Sequence, residues 1–190
     1  VKALAGKGLV DSRPKRGTIV LPSRTWNLLD VDVLQWRSEI DPDGQHLFHL
    51  TELRQAIEPA AAALAAARAA DEEIAAIADA CDAMAESVDS VERFLDADLR
   101  FHVEVLHASG NPFFAPIANV VSSALLASLR VTNRKPTDNL TSVPLHRRVL
   151  TAIESHQPAK AEAAMQRLLA DASERIDRNL ASKGKKKSAT

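Results

Sequence analysis

The sequence is poor in residues that build disulfide-rich or membrane-spanning proteins. Among its 190 residues one is cysteine, Cys81, and none is tyrosine. A single cysteine cannot form a disulfide within the chain, so we expect a reducing, cytoplasmic setting. No apolar stretch reaches the roughly 20 residues that a membrane-spanning helix requires, and 26% of the residues are charged. An integral membrane protein and a disulfide-stabilised domain are therefore excluded.

Glycine is scarce over most of the chain, which favours helices. Gly110 is the single glycine between positions 45 and 182, and hydrophobic residues make up 46% of the sequence. Alanine and leucine, which are strong helix formers, dominate this stretch. We predict an all-α fold, an antiparallel bundle of about six to seven helices joined by short links. The helical segments of this bundle are predicted at 47–69, 71–87, 91–108, 113–132, 144–156 and 158–180.

The first 44 residues have a different pattern. Two short β-type runs at 9–10 and 18–20 flank a polar turn with proline and glycine, which predicts a β-hairpin. Asp30 is placed to cap a short helix over 31–40, and a turn follows at 41–44. We call residues 1–22 the head, 23–44 the linker, 45–180 the body and 181–190 the tail, which we expect to be disordered and basic.

Charge is distributed unevenly between these parts. Residues 1–24 carry six lysines or arginines against one acid, although the whole chain has a net charge of −1. A basic head on an acidic body indicates that one surface meets a polyanion. Arg13, Lys15 and Arg16 surround the turn of the hairpin and are candidate contacts to a DNA backbone or minor groove. A solvated loop is the alternative.

The most specific pattern for a ligand site is Asp98 followed by His102. Residues four apart lie on one face of a helix, so this carboxylate and imidazole can hold one ion. His146 lies among apolar neighbours on another predicted helix and is the candidate third ligand of a metal site with open positions. A surface pair, or a core histidine with an internal partner, is the alternative. Surface or loop positions are predicted for the remaining histidines, which are His46, His49, His107 and His156.

Arg54 borders the apolar stripe of the first body helix. A guanidinium directed inward can hold a ligand carboxylate with two parallel hydrogen bonds. On spacing alone, a surface salt bridge to Glu58 at i+4 is the favoured interpretation. Arg130, Thr132 and Arg175 are weaker candidates for binding the same ligand.

In their order along the chain, these motifs resemble the GntR family of transcription regulators, FadR subfamily. Residues 4–10 and 12–18 resemble the end of the recognition helix and the wing of a winged helix-turn-helix, and residues 26–36 resemble the linker of that subfamily. The resemblance covers nearly the whole chain, from about Val1 to about Arg178. The motifs that resemble the effector-binding domain are Leu53-Arg54-x-x-x-Glu58-Pro59, Asp98-x-x-x-His102, Ala108-Ser-Gly-Asn-Pro112, Pro144-Leu-His146 and Ala152-Ile153.

The resemblance implies a dimeric, DNA-binding bacterial regulator with a FadR-type (FCD) helical effector-binding domain. That domain would bind a small organic acid, often through a divalent metal such as Zn, Ni or Mn. By resemblance, Asp98, His102 and His146 hold the metal and Arg54 meets the carboxylate of the effector. The front of the winged helix-turn-helix would precede Val1, so we expect the sequence to be a fragment of a longer protein.

One position departs from the pattern of the family. Many relatives have a further metal-binding histidine in the last helix, where this chain has Leu168. The metal is then held by three protein ligands, bound weakly or absent. Leucine at this position resembles the pattern in the branch of galactonate-responsive repressors, which implies a sugar acid as the effector.

Three functions are compatible with these residues. A ligand-responsive repressor accounts for both the basic hairpin and the inward Asp/His set. A metal-dependent enzyme could use the same three ligands, but the sequence offers no convincing second acid or base, so we expect that the protein is not an enzyme. A plain helical dimerisation module would leave the polar residues satisfied internally.

Overall fold

The computed structural model describes residues 1–40, 45–132 and 136–187 and is predominantly helical over these ranges. The described residues form one β-hairpin, β1 (Val10–Arg13) and β2 (Gly17–Val20), and eight α-helices. This confirms the prediction of an all-α bundle preceded by a hairpin. The helices are α1 (Lys2–Gly6), α2 (Val31–Glu39), α3 (Gln45–Arg68), α4 (Asp71–Glu86), α5 (Val91–Ala108), α6 (Ile117–Thr132), α7 (Pro136–Glu154) and α8 (Pro158–Lys187).

The head consists of α1 and the antiparallel hairpin. Val10 pairs with Val20 and Arg13 with Gly17, so the turn lies over the residues between them. Lys15 and Gly17 have φ angles of 63° and 80°. A reversal this tight needs left-handed backbone, which glycine adopts without steric cost.

The linker begins with a short 3₁₀ helix (Ser23–Thr25) and continues into α2. The Asp30 side chain accepts hydrogen bonds from the backbone N–H groups of Asp32 and Val33, which confirms the predicted cap. These bonds satisfy donors that have no partner within the helix. The turn predicted at 41–44 lies outside the described residues.

The body is a bundle in which α3 packs along α8, α4 along α5, and α7 against both α8 and α4. Four alanines of α3 are completely buried, and their small side chains let neighbouring helices approach closely. Larger side chains from α5 and α8 fill the centre, where Phe94, Phe101 and Met165 are also fully buried. The core therefore consists of the inward faces of amphipathic helices, as the apolar periodicity predicts.

The sequence predicts a loop between the helices at 113–132 and 144–156; this is wrong from residue 136 onward, as is the predicted helix start at Pro144, and 133–135 lie outside the described residues. Helix α7 begins at Pro136 and contains Pro144 in its interior. Proline is favourable in the first turn of a helix, where its missing N–H costs nothing, so either proline could begin this helix. Pro144 is exposed, so water can hydrogen-bond the carbonyl that the proline leaves without its helical partner. The longer helix places Ser142 one turn before His146.

Helix α8 extends beyond the predicted end of the body at residue 180. It continues to Lys187, so the prediction of a disordered tail is wrong for 181–187, and 188–190 lie outside the described residues. Lysine is a good helix former, and positive charge is favourable near a helix C-terminus. Within the ranges given above, no helix combines the length and the apolarity needed to cross a bilayer.

Candidate metal and effector site

Asp98, His102 and His146 meet inside the body. Asp98 and His102 lie one turn apart on α5, and His146 faces them from α7. Each residue is at most 3% exposed. Each offers one candidate ligand atom, and these atoms lie within 4.8 Å of one another. The structure therefore brings together the three residues that the sequence nominates.

Neighbouring acceptors orient the two imidazole rings. His102 Nδ1 lies 2.5 Å from Glu58 Oε2, and His146 Nδ1 lies 3.0 Å from the backbone carbonyl oxygen of Ser142. Both Nε2 atoms face Asp98 Oδ1, at 3.5 Å for His102 and 2.9 Å for His146. An acceptor at Nδ1 fixes the tautomer, and histidines that bind metals have such an acceptor on the nitrogen away from the ion.

Phe101 packs edge-on against both rings. Its ring centroid lies 5.6 Å from that of His102 and 4.9 Å from that of His146, with interplanar angles of 88° and 82°. Edge-to-face contacts are a favoured arrangement for aromatic rings. Because Phe101 is fully buried, it limits rotation of both imidazoles.

Arg54 and Glu58 form an ion pair next to these residues. Arg54 Nε lies 2.5 Å from Glu58 Oε1, and Arg54 Nη2 lies 3.3 Å from His102 Nε2. The pair has the predicted i+4 spacing, but it is buried: Arg54 is 6% exposed and Glu58 1%. The interpretation of a surface salt bridge is therefore wrong, because this face of α3 lies against α5 and α8 in the bundle.

Opposite charges keep the carboxylates of the site ionised. Burial by itself would raise the pKa of the Glu58 carboxyl, but the positive charges of Arg54 and His102 outweigh it and lower that pKa to about 2. Burial also opposes ionisation of Asp98, yet hydrogen bonds from His102 and His146 hold its pKa well below the usual range.

The two imidazoles respond differently to the same environment. Burial would lower the pKa of His102, but the Glu58 carboxylate outweighs it and the pKa is raised. Burial also lowers the pKa of His146, and there it prevails over the attraction of Asp98. The same pocket therefore shifts the pKa values of the two imidazoles in opposite directions.

A cavity of about 180 Å³ adjoins these residues. Arg54, Arg175 and Leu168 line it together with the three candidate metal ligands. Further polar side chains around the cavity belong to Thr51, Ser128, Asp138, Ser142, Arg178 and Asn179. The cavity therefore combines two largely buried guanidinium groups with hydroxyl and amide groups, which suits a small polar anion.

Arg175, one of the weaker candidates in the sequence, lines the cavity from α8. Its Nη2 lies 3.2 Å from Asp171 Oδ2, and its Nη1 donates to the backbone carbonyl oxygen of Asp138 at 3.4 Å. The first contact lies within α8, and the second joins α8 to the first turn of α7. The side chains of Arg130 and Thr132 lie outside what the structure describes, so their predicted roles remain predictions.

Sequence reasoning missed two residues of the site and misplaced one histidine. For Glu58 the sequence suggests only a surface partner of Arg54, and it places Ser142 before the helix start predicted at Pro144. His46 is buried rather than at the surface, because α3 begins at Gln45 and brings His46 onto the same face as Leu50. His49, His107 and His156 are exposed as predicted.

The hairpin tip presents the predicted basic side chains to solvent. Arg13, Lys15 and Arg16 are all exposed, and Arg13 Nε lies 2.8 Å from Asp11 Oδ2. This exposed ion pair orients Arg13 without removing it from solvent, and such pairs are weak. The tip is therefore accessible to a partner.

The fold and the buried polar cluster define an all-helical domain built around an internal cavity, joined through a linker to a small basic head. Residues 49–171 match the model of the FCD domain family. The chain belongs to the GntR family of transcriptional regulators that carry this domain, which confirms the family resemblance.

The relatives are named as transcription regulators. The galactonate operon transcriptional repressor of Escherichia coli is 32% identical over 92% of this chain and 77% of its own length. The HTH-type transcriptional repressor NanR of Salmonella newport is 29% identical over 86% of this chain and 64% of its own length. Streptococcus agalactiae GntR has the same fold, with a TM-score of 0.63 and 24% identity over 90% of this chain and 76% of that chain.

We expect the stability of the protein to fall in acid partly because of Glu58. Its pKa is lower in the folded state (about 2) than its ordinary value of 4.5. The unfolded chain therefore binds more protons between these values, and the stabilisation present above pH 4.5 is lost as the pH falls through 2. A shift of this size corresponds to about 3 kcal/mol.

Urea denaturation at pH 6, 4 and 3 with a chelator present measures this effect. The Glu58→Gln variant is expected to lose less free energy of unfolding than the wild type over this pH range. Equal losses in the two proteins would contradict the assignment.

Proposed function

We propose that the body senses a sugar acid through a divalent metal held by Asp98, His102 and His146. The observation that carries the proposal is the orientation of His146. Its Nδ1 is directed to the Ser142 carbonyl, and its Nε2 lies 2.9 Å from Asp98 Oδ1. With its proton on Nδ1, a neutral His146 would direct the lone pair of Nε2 towards Asp98 Oδ1, and a cation between these two atoms would be shared by two electron-pair donors.

The donor set suits a borderline or hard divalent ion. Two imidazole nitrogens and one carboxylate oxygen fit Zn, Ni or Mn better than a soft, thiolate-preferring metal. Leu168 lines the same cavity and contributes no donor, so a bound ion keeps positions open for an effector. When bound, the ion supplies a positive charge that attracts a carboxylate.

The lining of the cavity supports an aldonate as the effector. Arg54 and Arg175 can pair with a carboxylate, and the hydroxyls of Thr51, Ser128 and Ser142 can hydrogen-bond a polyhydroxylated chain. The name of the E. coli relative refers to galactonate. We take D-galactonate as the first probe for this chain.

The proposal includes DNA as a partner of the head and a second copy as a partner of the whole chain. Arg13, Lys15 and Arg16 are exposed together at the hairpin tip, where they can follow a phosphate backbone. Phe113 and Leu126 are 82% and 50% exposed, and such apolar side chains are typical of surfaces that become buried in an oligomer. A homodimer would place two heads on one DNA site.

Calorimetric titration tests the sensing proposal. Zn²⁺, Ni²⁺ and Mn²⁺ are titrated first, and D-galactonate is then titrated with and without the metal. We expect metal binding, and tighter galactonate binding when the metal is present. Asp98→Asn should weaken metal affinity by more than about 100-fold, because it removes a direct ligand.

Asp96→Asn is the matched control, because Asp96 lies on the same helix but is exposed. It should leave the affinity for metal unchanged. Absence of metal binding in the wild type, or equal losses in the two variants, would refute the proposal.

A further inference from the structure

Lys7 joins the head to the linker through two acidic residues. Its Nζ lies 2.6 Å from Asp30 Oδ1, 2.7 Å from Asp30 Oδ2 and 2.9 Å from Asp32 Oδ2. The side chains of Lys7 and Asp30 are 19% and 22% exposed, so water screens this pair less than an ordinary surface pair. Asp30 also caps α2, so Lys7 contacts the linker helix at its first turn.

Backbone contacts support the same junction. Asn27 N–H donates to the Lys7 carbonyl at 2.9 Å, and the Thr25 hydroxyl donates to the Gly8 carbonyl at 3.0 Å. Gly8 has a φ angle of +75°, and a Cβ atom there would lie 2.2 Å from the Thr25 carbonyl oxygen. Only glycine permits this approach, so the head and the start of the linker are fitted closely to each other.

The other side of α2 rests on the body next to the cavity. Leu34 packs with Leu50, Val120 and Ala124 in one buried cluster, and the Ser38 and Ser123 hydroxyls lie 3.1 Å apart. Ala124 belongs to both this cluster and the cavity lining. Helix α2 therefore contacts the cavity wall through α6 and the head through Lys7.

We propose that Lys7 is a positioning residue that makes the head and α2 one rigid unit, through which displacements of α6 at the cavity reorient the basic hairpin. The transfer of movement from α6 to the hairpin rests on the proposed sensing function, whereas the rigid attachment of the head to α2 does not. Helix α2 packs against α6 and is ion-paired to Lys7 at its first turn, so it moves with both as a rigid body. A ligand therefore needs only to favour one arrangement of α6.

Distances between two nitroxide labels test the proposal. One label is attached at Ser12→Cys in the hairpin and the other at Glu72→Cys on α4, both exposed positions. Cys81 stays in place, because it is fully buried and burial raises the pKa of its thiol. Lys7→Met is compared with Lys2→Met, which removes the same charge from an exposed position of the head, and with Lys7→Arg, which restores the charge.

We expect Lys7→Met to broaden the distance distribution by at least about twofold, and Lys2→Met and Lys7→Arg to keep it narrow. The melting temperature of the body should not change, since a merely structural defect would lower it. Adding Zn²⁺ with D-galactonate should shift the mean distance between the labels in the wild type but not in Lys7→Met. The affinities of the two proteins for D-galactonate, measured by calorimetry, should agree within about twofold.

Equal widths in the wild type and Lys7→Met would overturn the rigid attachment. A wild type that binds the probe without any change in distance would overturn the transmission. If neither protein binds D-galactonate in the presence of Zn²⁺, the sensing function is refuted. The widths of the distance distributions then still decide whether Lys7 holds the head rigidly to α2.

Discussion

Replacing Glu58 by glutamine is expected to lower the free energy of unfolding by about 3–5 kcal/mol, because it leaves buried positive charge without a counterion. Glu58 is 1% exposed and contacts Arg54 Nε and His102 Nδ1, each at 2.5 Å. Glutamine keeps the size and one acceptor but removes the charge. Urea denaturation at pH 7 with a chelator measures the loss.

Glu52→Gln is the matched control for this variant, because Glu52 lies on α3 but is exposed. Its free energy of unfolding should stay within about 0.5 kcal/mol of the wild type. A loss below about 1 kcal/mol for Glu58→Gln would show that water reaches the pair and that the site is less closed than its geometry indicates.

Replacing Arg54 by alanine is expected to weaken binding of D-galactonate by about 2–4 kcal/mol, the range for losing a charge-assisted contact in a desolvated site. At 25 °C this corresponds to roughly 30- to 1,000-fold in affinity. Arg54 lines the cavity, and its Nε and Nη2 already contact Glu58 and His102. These contacts hold the guanidinium in place, so a ligand does not bear the entropic cost of ordering it.

Calorimetry at a temperature well below the melting point of the variant measures this effect, since Arg54→Ala also breaks the pair with Glu58. Arg68→Ala on the same helix is the control, because Arg68 is exposed and should not affect affinity. Arg54→Lys keeps the charge without the planar fork and should fall between the two. An unchanged affinity in Arg54→Ala would remove Arg54 from the effector site.

Much of the candidate metal site could be predicted from the sequence because its main part is local. Asp98 and His102 are one turn apart on a single helix, so their common face follows from the period of the helix alone. His146 required a guess about which helices face each other, and its apolar neighbours supplied the signal. A galactonate operon repressor is among the relatives, but the effector of this chain remains a proposal.

The orientation of the site could not be predicted from the sequence. No local sequence pattern distinguishes a buried Arg54–Glu58 pair from an exposed one, because both have the same i+4 spacing. Burial of that face depends on α5 and α8, which are distant in the chain. Ser142 shows the same limit, since its position depends on whether the helix begins at Pro136 or at Pro144.

The sequence by itself determined the hairpin and most of the helical segments, apart from the start of α7 and the end of α8, because periodicity, caps and the positions of glycine act over a few residues. It also determined the chemistry available to a ligand, namely one carboxylate, two imidazoles and several guanidiniums. Tertiary structure alone decided which of these groups are buried together, which nitrogen of each imidazole faces Asp98, and how Lys7 ties the head to α2. Those features depend on contacts between helices far apart in sequence, and no local pattern encodes such contacts.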